Sequence, residues 1–506
     1  MKKLVFLNTV TPGAALLLLA LMSLLPCANV SAQSVQSAKY LFTSRECELA
    51  VVRESAAGVP VISFYQGNTL PANAGVHVMY GDVSYNSMKG FVIQDTIAPN
   101  GMVIHRINDM RVVGDMCYFC GARVLLTNEY DPFTGQVVAD STGIIGRFRL
   151  NPSGFGQMAN YDLKFISETK SLDRLAAFAN NSDTVLAMIG IVNSPNSESC
   201  LTVASINGSH SWAYSVGYVN NSAVKEVFTD IAVDLKNVTV ASYHKNSAGE
   251  NYFNLRIANN SNIQNDMYTD FDMLNKYYPT SLLLPNPCYS LVRPNYAAVQ
   301  LCATPNDSKV YAAYACSVNN TFAAYPTAMC EIETTSKQLQ SAQVVQKSYP
   351  SAHTLLDMEY IDSPSGTGKP ASVALLHRSN GMFQTIVEYP YANMSSYAYY
   401  VAPVQEMADN VISSVSAYNG DDIRFGGYWS PSSYKLTYIR ELLPGLTEKE
   451  RCVQNSDAEI LTTNGPLVPV DEMSPLLPKT YEIMPFNWAH KVAATFTDYV
   501  ETKCKY

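Results

Sequence analysis

A two-strand unit that recurs along the chain constrains its fold more than any other feature. Ile107-Asn108-Asp109-Met110-Arg111-Val112-Val113 is followed by Asp115-Met116-Cys117-Tyr118-Phe119-Cys120-Gly121. Phe228-Thr229-Asp230-Ile231-Ala232-Val233-Asp234 is followed by Asn237-Val238-Thr239-Val240-Ala241-Ser242. Leu355-Leu356-Asp357-Met358-Glu359-Tyr360-Ile361 runs, past a loop, into Ser372-Val373-Ala374-Leu375-Leu376-His377. Ile412-Ser413-Ser414-Val415-Ser416-Ala417-Tyr418 precedes Asp421-Asp422-Ile423-Arg424-Phe425-Gly426-Gly427. Alternation of apolar and polar residues marks a pleated face, and Gly-Asp, Lys-Asn or Asn-Gly-Asp-Asp supplies a tight turn, so each unit reads as a β-hairpin. The first three units lie at about twice the spacing of the last two, and less regular hairpins near Leu163–Ile189 and Tyr289–Cys316 fill the gaps. The implied period is about 60 residues.

A small antiparallel sheet cannot bury both its faces alone. Arranging many such sheets around an axis buries those faces and protects the strand edges, which is the logic of a β-propeller. The expected fold is therefore all-β, a propeller of about seven blades, with two or three β-sandwich domains as the alternative. Segments 37–100 and 446–506 are expected to share the blade that closes the ring, and a disulfide among Cys47, Cys452 and Cys504 would lock it. Helical patterns are few: Asp173–Asn180 and Asn487–Tyr499 could each hold a short helix.

The N-terminus predicts export. Lys2 and Lys3 precede an uncharged apolar run, Ala14–Leu25, and Val30-Ser31-Ala32 presents the small residues that a signal peptidase reads. Residues 1–32 are thus expected to leave, making Gln33 the first residue of a single domain, 33–506. The apolar run is short for a bilayer span, which needs about 20 residues, and no second long run follows, so the protein is not expected to be an integral membrane protein. Pro26 before Cys27 disfavours lipid attachment there.

Composition narrows the partners. Charged residues make up 15% of the chain, against a usual ~25%, and Tyr numbers 33. Such a balance favours strands and polar turns over helices. The hydrophobic share of 47% is too high for a disordered chain. Net charge is −9 with no Lys/Arg cluster, so nucleic acid is not an expected partner. Beyond Cys27 the cysteines are Cys47, Cys117, Cys120, Cys200, Cys288, Cys302, Cys316, Cys330, Cys452 and Cys504, an even set that permits disulfides after export. Cys117 and Cys120 fall in a strand, where residues three apart face opposite ways, so they are expected as buried thiols or as links to other strands, not as a redox pair.

The hairpin units and the export signal resemble secreted, repeat-built β-propeller proteins of Gram-negative bacterial envelopes, many of them without a known activity. The chain departs from the familiar propeller signatures: no Trp-Asp ending recurs, and the double glycine Gly426-Gly427 occurs once. The resemblance implies an exported binding or scaffold module, with a glycan or an envelope or extracellular protein as partner.

Chemistry is sparsely encoded. Asp109, Asp230 and Asp357 recur at one position of the unit. Two differing carboxylates could serve a glycosidase, but a recurring Asp more often accepts backbone hydrogen bonds in a turn, and they are assigned a structural role. A carbohydrate-active hydrolase or lyase on the same fold remains the alternative function, and a purely structural envelope protein a third. The seven histidines form no ligand pair, and Ser365-Gly366-Thr367-Gly368-Lys369-Pro370 lacks the phosphate-loop spacing. No metal or other cofactor is expected. Tyr397, Tyr399, Tyr400, Tyr428 and Trp429 are the candidate ligand-binding residues, because rigid amphipathic rings suit sugar and protein surfaces.

Overall fold

A computed structural model gives the architecture. It describes the backbone of 36 strands and several of their turns between Ser37 and Lys505. Side chains are described at Arg53, Gln340, Val373, Val415 and Ser416 and within 106–125, 140–150, 163–178, 184–193, 199–204, 227–242, 255–259, 299–304, 306–313, 330–338 and 357–360. The chain divides into Met1–Val35, which lies outside the described residues together with the expected export signal, and Gln36–Tyr506.

β1 is Ser37–Phe42, and β2–β5 are Cys47–Glu54, Pro60–Gln66, Gly75–Tyr80 and Met88–Asp95. β6–β9 are Gly101–Val113, Met116–Tyr130, Val137–Arg149 and Asp162–Ile166. β10–β13 are Thr169–Asn180, Asp183–Val192, Ser199–Ser205 and Trp212–Tyr218. β14–β17 are Lys225–Val233, Asn237–Lys245, Asn251–Asn259 and Asn275–Tyr278. β18–β22 are Ser290–Leu291, Val299–Ala303, Lys309–Ser317, Thr327–Glu333 and Gln338–Val345. β23–β26 are His353–Ile361, Ser372–Ser379, Met382–Glu388 and Tyr399–Pro403, and β27–β29 are Asn410–Tyr418, Asp422–Trp429 and Lys435–Leu442. The last seven, β30–β36, are Val453–Ser456, Thr462–Pro466, Val468–Pro469, Leu476–Lys479, Ile483–Pro485, Ala489–Phe496 and Val500–Lys505.

These strands form seven small antiparallel sheets, and the described residues contain no helix. Sheet 1 runs β2-β3-β4-β5, sheet 2 β6-β7-β8-β9, sheet 3 β10-β11-β12-β13 and sheet 4 β14-β15-β16-β17. In sheet 5, β18 and β19 both pair with β20, which leads to β21 and β22; sheet 6 runs β23-β24-β25-β26. Sheet 7 is β27-β28-β29 completed by β1 from the other end of the chain. The first strands contact one another in order, β2 to β6, β10, β14, β19, β23 and β27, and β27 contacts β2 again.

Residues 37–100 therefore divide between two sheets: β1 joins sheet 7, and β2–β5 make sheet 1. The C-terminal region is spread more widely. It adds one outermost strand to every sheet in reverse order: β30 to sheet 6, β31 to 5, β32 to 4, β33 to 3, β34 to 2, β35 to 1 and β36 to 7. Within sheet 7, β36 lies beside β1.

The core lies between sheets. Val185, Ala187 and Ile189 of β11 pack with Phe228, Ile231, Val238 and Val240 of sheet 4. Leu186 and Met188 of the same strand pack with Tyr118, Cys120, Ile145 and Ile166 of sheet 2. Sheet 3 is thus buried on both faces, and each aliphatic side chain buried this way contributes roughly 1.5–3 kcal/mol. Burial on two faces also explains why Asp173–Asn180 is strand and not helix. Leu172, Leu175 and Ala176 imitate a helical stripe, yet Leu172 and Leu175 serve the sheet 2 layer and Ala176 the sheet 4 layer. The segment expected as a helix over 487–499 instead holds β35, paired with β5 at eight consecutive positions.

Gly121 of β7 and Gly190 of β11 have a packing cause. A bulge interrupts β6 between Ile107 and Asp109 and β10 between Leu172 and Arg174. Gly121 and Gly190 face the residues before those bulges, Ile107 and Leu172. A Cβ on Gly121 would lie 1.8 Å from the Arg106 carbonyl oxygen, and one on Gly190 would lie 2.1 Å from that of Ser171. The hairpin turn behaves as its sequence suggests: Gly114 adopts φ +62, for which glycine carries no steric cost.

Candidate functional site

The bulge that opens each unit sets the site. It recurs before Asp230 in β14, before Asp357 in β23 and before Ser414 in β27. Each recurring Asp therefore lies inside its strand, one residue past the bulge. That differs from a turn position, and the backbone groups it binds differ accordingly.

Asp109, Asp230 and Asp357 make the same pair of bonds. One carboxylate oxygen accepts from the next N–H of its own strand: Met110 at 2.8 Å, Ile231 at 2.9 Å and Met358 at 3.1 Å. The other oxygen accepts from the first strand of the following sheet: Leu175 at 3.0 Å, Leu301 at 2.6 Å and Val415 at 3.0 Å. The three side chains thus clasp sheet 2 to 3, sheet 4 to 5 and sheet 6 to 7. Bonds to an ionised acceptor are about twice as strong as neutral ones. Seven is odd, so sheet 1 is left without a partner in this scheme.

Arg53 of sheet 1 fills that gap. It is 4% exposed. Its Nη2 donates to Asp109 at 2.8 Å, its Nη1 to Asp357 at 2.8 Å and to the Val415 carbonyl at 3.0 Å, and its Nε to the Met110 carbonyl at 3.0 Å. One guanidinium from sheet 1 therefore ties sheets 2, 6 and 7. Arg111 stands 3.7 Å from Asp109 and 3.9 Å from Glu359, and Arg174 stands 3.9 Å from Asp230.

The clasps differ electrostatically. Burial works against charge on Asp109, but Arg111, Arg53, Arg174 and the Leu175 N–H outweigh it and hold the carboxyl below its usual range. Burial wins at Asp230 and pushes its carboxyl up to about 6, against Arg174 and the Leu301 and Ile231 N–H groups. Glu359 is also pushed up by burial, against Arg111 and Arg53.

Sequence reasoning singled out the three aspartates but missed Arg53. An arginine in the otherwise apolar Leu49-Ala50-Val51-Val52-Arg53 was the only signal, and it does not recur. Of the candidate binding residues, Tyr397 lies outside the described residues. Tyr399 and Tyr400 fall in β26 and Tyr428 and Trp429 in β28, in sheets 6 and 7, with their side chains outside the described set.

The cysteines give no disulfide among the described residues. Cys117, Cys120, Cys200, Cys302 and Cys330 are buried outside any described disulfide, and the expected linkage of Cys47, Cys452 and Cys504 lies outside the described side chains. Burial pushes the Cys200 thiol up to about 12, so it is a poor nucleophile. No group of three or more His, Cys, Asp or Glu among the described residues could hold a metal ion. The described residues contain no helix long and apolar enough to cross a membrane.

No family model matches the chain, and no curated protein matches it. Among solved structures, it is similar to a chain of the Saccharomyces cerevisiae core factor, at 8% identity and a TM-score of 0.23. That match covers 81% of this chain and 61% of the other, so this chain spans less than two thirds of it. It is also similar to a mutant Trypanosoma rangeli sialidase displaying trans-sialidase activity, at 8% identity and a TM-score of 0.17, covering 88% of this chain and 90% of that one.

Proposed function

We propose that the chain is an exported, seven-bladed β-propeller that serves as a binding or scaffold module of the cell envelope or its exterior. The seven sheets would be the blades, with the cycle of first-strand contacts at the axis and β1 and β36 closing the last blade. One observation carries the functional part. The three recurring carboxylates, the residues best suited by pattern to catalysis, are 0%, 3% and 4% exposed and spend both oxygens on backbone N–H groups of two sheets. A glycosidase carboxylate must reach the scissile bond or a water beside it. These side chains instead make a rigid frame, and rigid frames that present loops suit recognition.

The test is a binding and cleavage assay on residues 33–506 against a panel of polysaccharides and glycoproteins. Retention without product release is the expected result, and mutagenesis would then begin at Tyr399, Tyr400, Tyr428 and Trp429. Release of cleaved product overturns the reading in favour of a hydrolase or lyase. A result with neither retention nor release leaves a scaffold with a protein partner, to be sought by crosslinking. Fractionation with N-terminal sequencing checks export: a mature chain beginning at Gln33 outside the cytoplasm is expected, and an intact N-terminus removes that part.

A further inference from the structure

In sheets 2 to 7, one first-strand residue gives its N–H to a recurring carboxylate: Met110, Leu175, Ile231, Leu301, Met358 and Val415. All six are buried, at 1% exposure or less. The next residue points to the other face of its strand. It is Arg111, Ala176, Ala232, Cys302, Glu359 and Ser416 in turn. The four small side chains keep 4–6% of their surface, and the two long ones, Arg111 and Glu359, keep 23% and 30%. Arg111 lies on β6 and Glu359 on β23, which are not neighbours in the cycle of first strands. Their 3.9 Å approach therefore crosses the interior of that cycle.

The protein leaves both charges underused. A guanidinium has several N–H donors. That of Arg111 gives one to the Met110 carbonyl at 3.4 Å, while Asp109 and Glu359 stand at 3.7 and 3.9 Å, beyond hydrogen-bond reach. Glu359 accepts no hydrogen bond among the described residues. Gln300 is a second, independent observation. It precedes Leu301 as Asp109, Asp230 and Asp357 precede Met110, Ile231 and Met358, and it is fully buried. Both polar atoms of its amide lack a partner. The two N–H groups that a clasp at this place would take are occupied, that of Leu301 by Asp230 and that of Met358 by Asp357. Gln300 shares its strand face with Cys302. Burial acts first on that thiol, and Glu359, Asp230 and Arg111 act next. A buried amide with neither group matched is rare in a folded protein, and this one faces the interior that Arg111 and Glu359 enter.

We propose that Arg111, Glu359 and Gln300 form a site for the uncharged terminal sugar of a glycan. The inference rests on the reading of the chain as a binding module and gives that module its site. Arg111 only donates, Glu359 accepts and Gln300 does both, and a sugar hydroxyl likewise does both. The two charges are opposite, so a neutral ligand leaves neither unbalanced. Ala176, Ala232 and Cys302 keep the sides of the site small, and the flexible Gln300 side chain turns to meet the ligand. A free amino acid suits the site less. Burial pushes the Glu359 carboxyl up against the pull of Arg111 and Arg53, and an ammonium group needs the anion.

Residues 33–506 are tested on an array of neutral oligosaccharides ending in glucose, galactose, mannose or N-acetylglucosamine, and the strongest ligand is titrated by calorimetry. Arg111→Met should weaken binding about tenfold or more and Glu359→Gln about threefold, with cooperative unfolding retained. Gln300→Met should also weaken binding, yet raise the unfolding midpoint of the protein without ligand, because it removes two unmatched polar groups. A lowered midpoint with binding intact would mean that the amide serves the fold alone, and it overturns the site. A wild type that retains no neutral sugar also overturns it, while leaving a scaffold with a protein partner. Retention that survives all three substitutions, or that is lost only on Tyr399→Ala or Tyr428→Ala, overturns the site and leaves the binding module standing. Should Arg111→Met fail to fold, Glu359→Gln and Gln300→Met decide by the same readouts.

Discussion

The clasp at Asp109 and the clasp at Asp230 are alike in geometry and opposite in charge balance. Both follow a bulge, both accept from the next N–H, and both reach one backbone N–H of the following sheet. Asp109 also accepts from Arg53 at 2.8 Å and has Arg111 at 3.7 Å, whereas Asp230 has Arg174 at 3.9 Å. Its carboxyl is correspondingly held low, while that of Asp230 rises to about 6. The backbone fixes where a recurring carboxylate goes. The arginines around it, Arg111 of the same strand and Arg53 and Arg174 of neighbouring sheets, fix whether it is comfortable as an anion.

The largest way to break this comparison is Arg53→Met. It removes the cation from between Asp109 and Asp357 but touches neither Asp230 nor its bonds. Leaving buried carboxylates without their partner costs about 3–5 kcal/mol. Denaturant unfolding should show that loss, and a loss under about 1 kcal/mol would mean that the guanidinium does not hold the three sheets together.

The pH dependence sharpens the comparison. Asp230 has a folded value raised above its ordinary 3.8, so the folded state holds its proton more tightly. Its contribution to stability is full below about pH 3.8 and is lost as pH rises through about 6. That amounts to about 2–3 kcal/mol between pH 4 and 7. Asp109 has the opposite sign: its contribution is full above 3.8 and is lost as pH falls through its depressed folded value. Comparing wild type with Asp230→Asn, the wild type should gain stability relative to the variant on going from pH 7 to pH 4. The same comparison with Asp109→Asn should show the wild-type advantage undiminished between pH 7 and pH 5. Parallel profiles for the two variants would erase the distinction between the clasps.

The smallest effect separates the backbones beneath the two clasps. Gly121 faces Ile107 before the bulge of β6, and Ser242 faces Phe228 at the matching place in β14. Gly121→Ala must displace the Arg106 carbonyl and should cost about 1–3 kcal/mol, whereas Ser242→Gly should cost about 1 kcal/mol or less. Thermal unfolding of the two variants side by side checks this, and an equal shift would place the crowding elsewhere.

The recurrence that exposed Asp109, Asp230 and Asp357 was legible because three strands need the same clasp and so repeat the same residue. Arg53 was not legible, because an odd count of sheets needs that side chain once, and a device used once leaves no period. The expected helix at 173–180 failed for a related reason. Periodicity reports one buried face, and a strand between two neighbouring sheets has two. The C-terminal strands were invisible at two to eight residues each, too short for alternation to stand out from loop sequence.

By itself, then, the amino-acid sequence determined that this chain is built of antiparallel hairpins, where their turns fall and which carboxylates recur. Those are local matters, decided by alternation, by turn residues such as Gly114 and by repetition. Tertiary structure alone decided which sheets the carboxylates join, that Arg53 serves three sheets at once and that the last residues cap every sheet in reverse order. Each of those pairings links residues tens to hundreds of positions apart, and such partners are chosen by packing and charge in three dimensions, which no local pattern encodes.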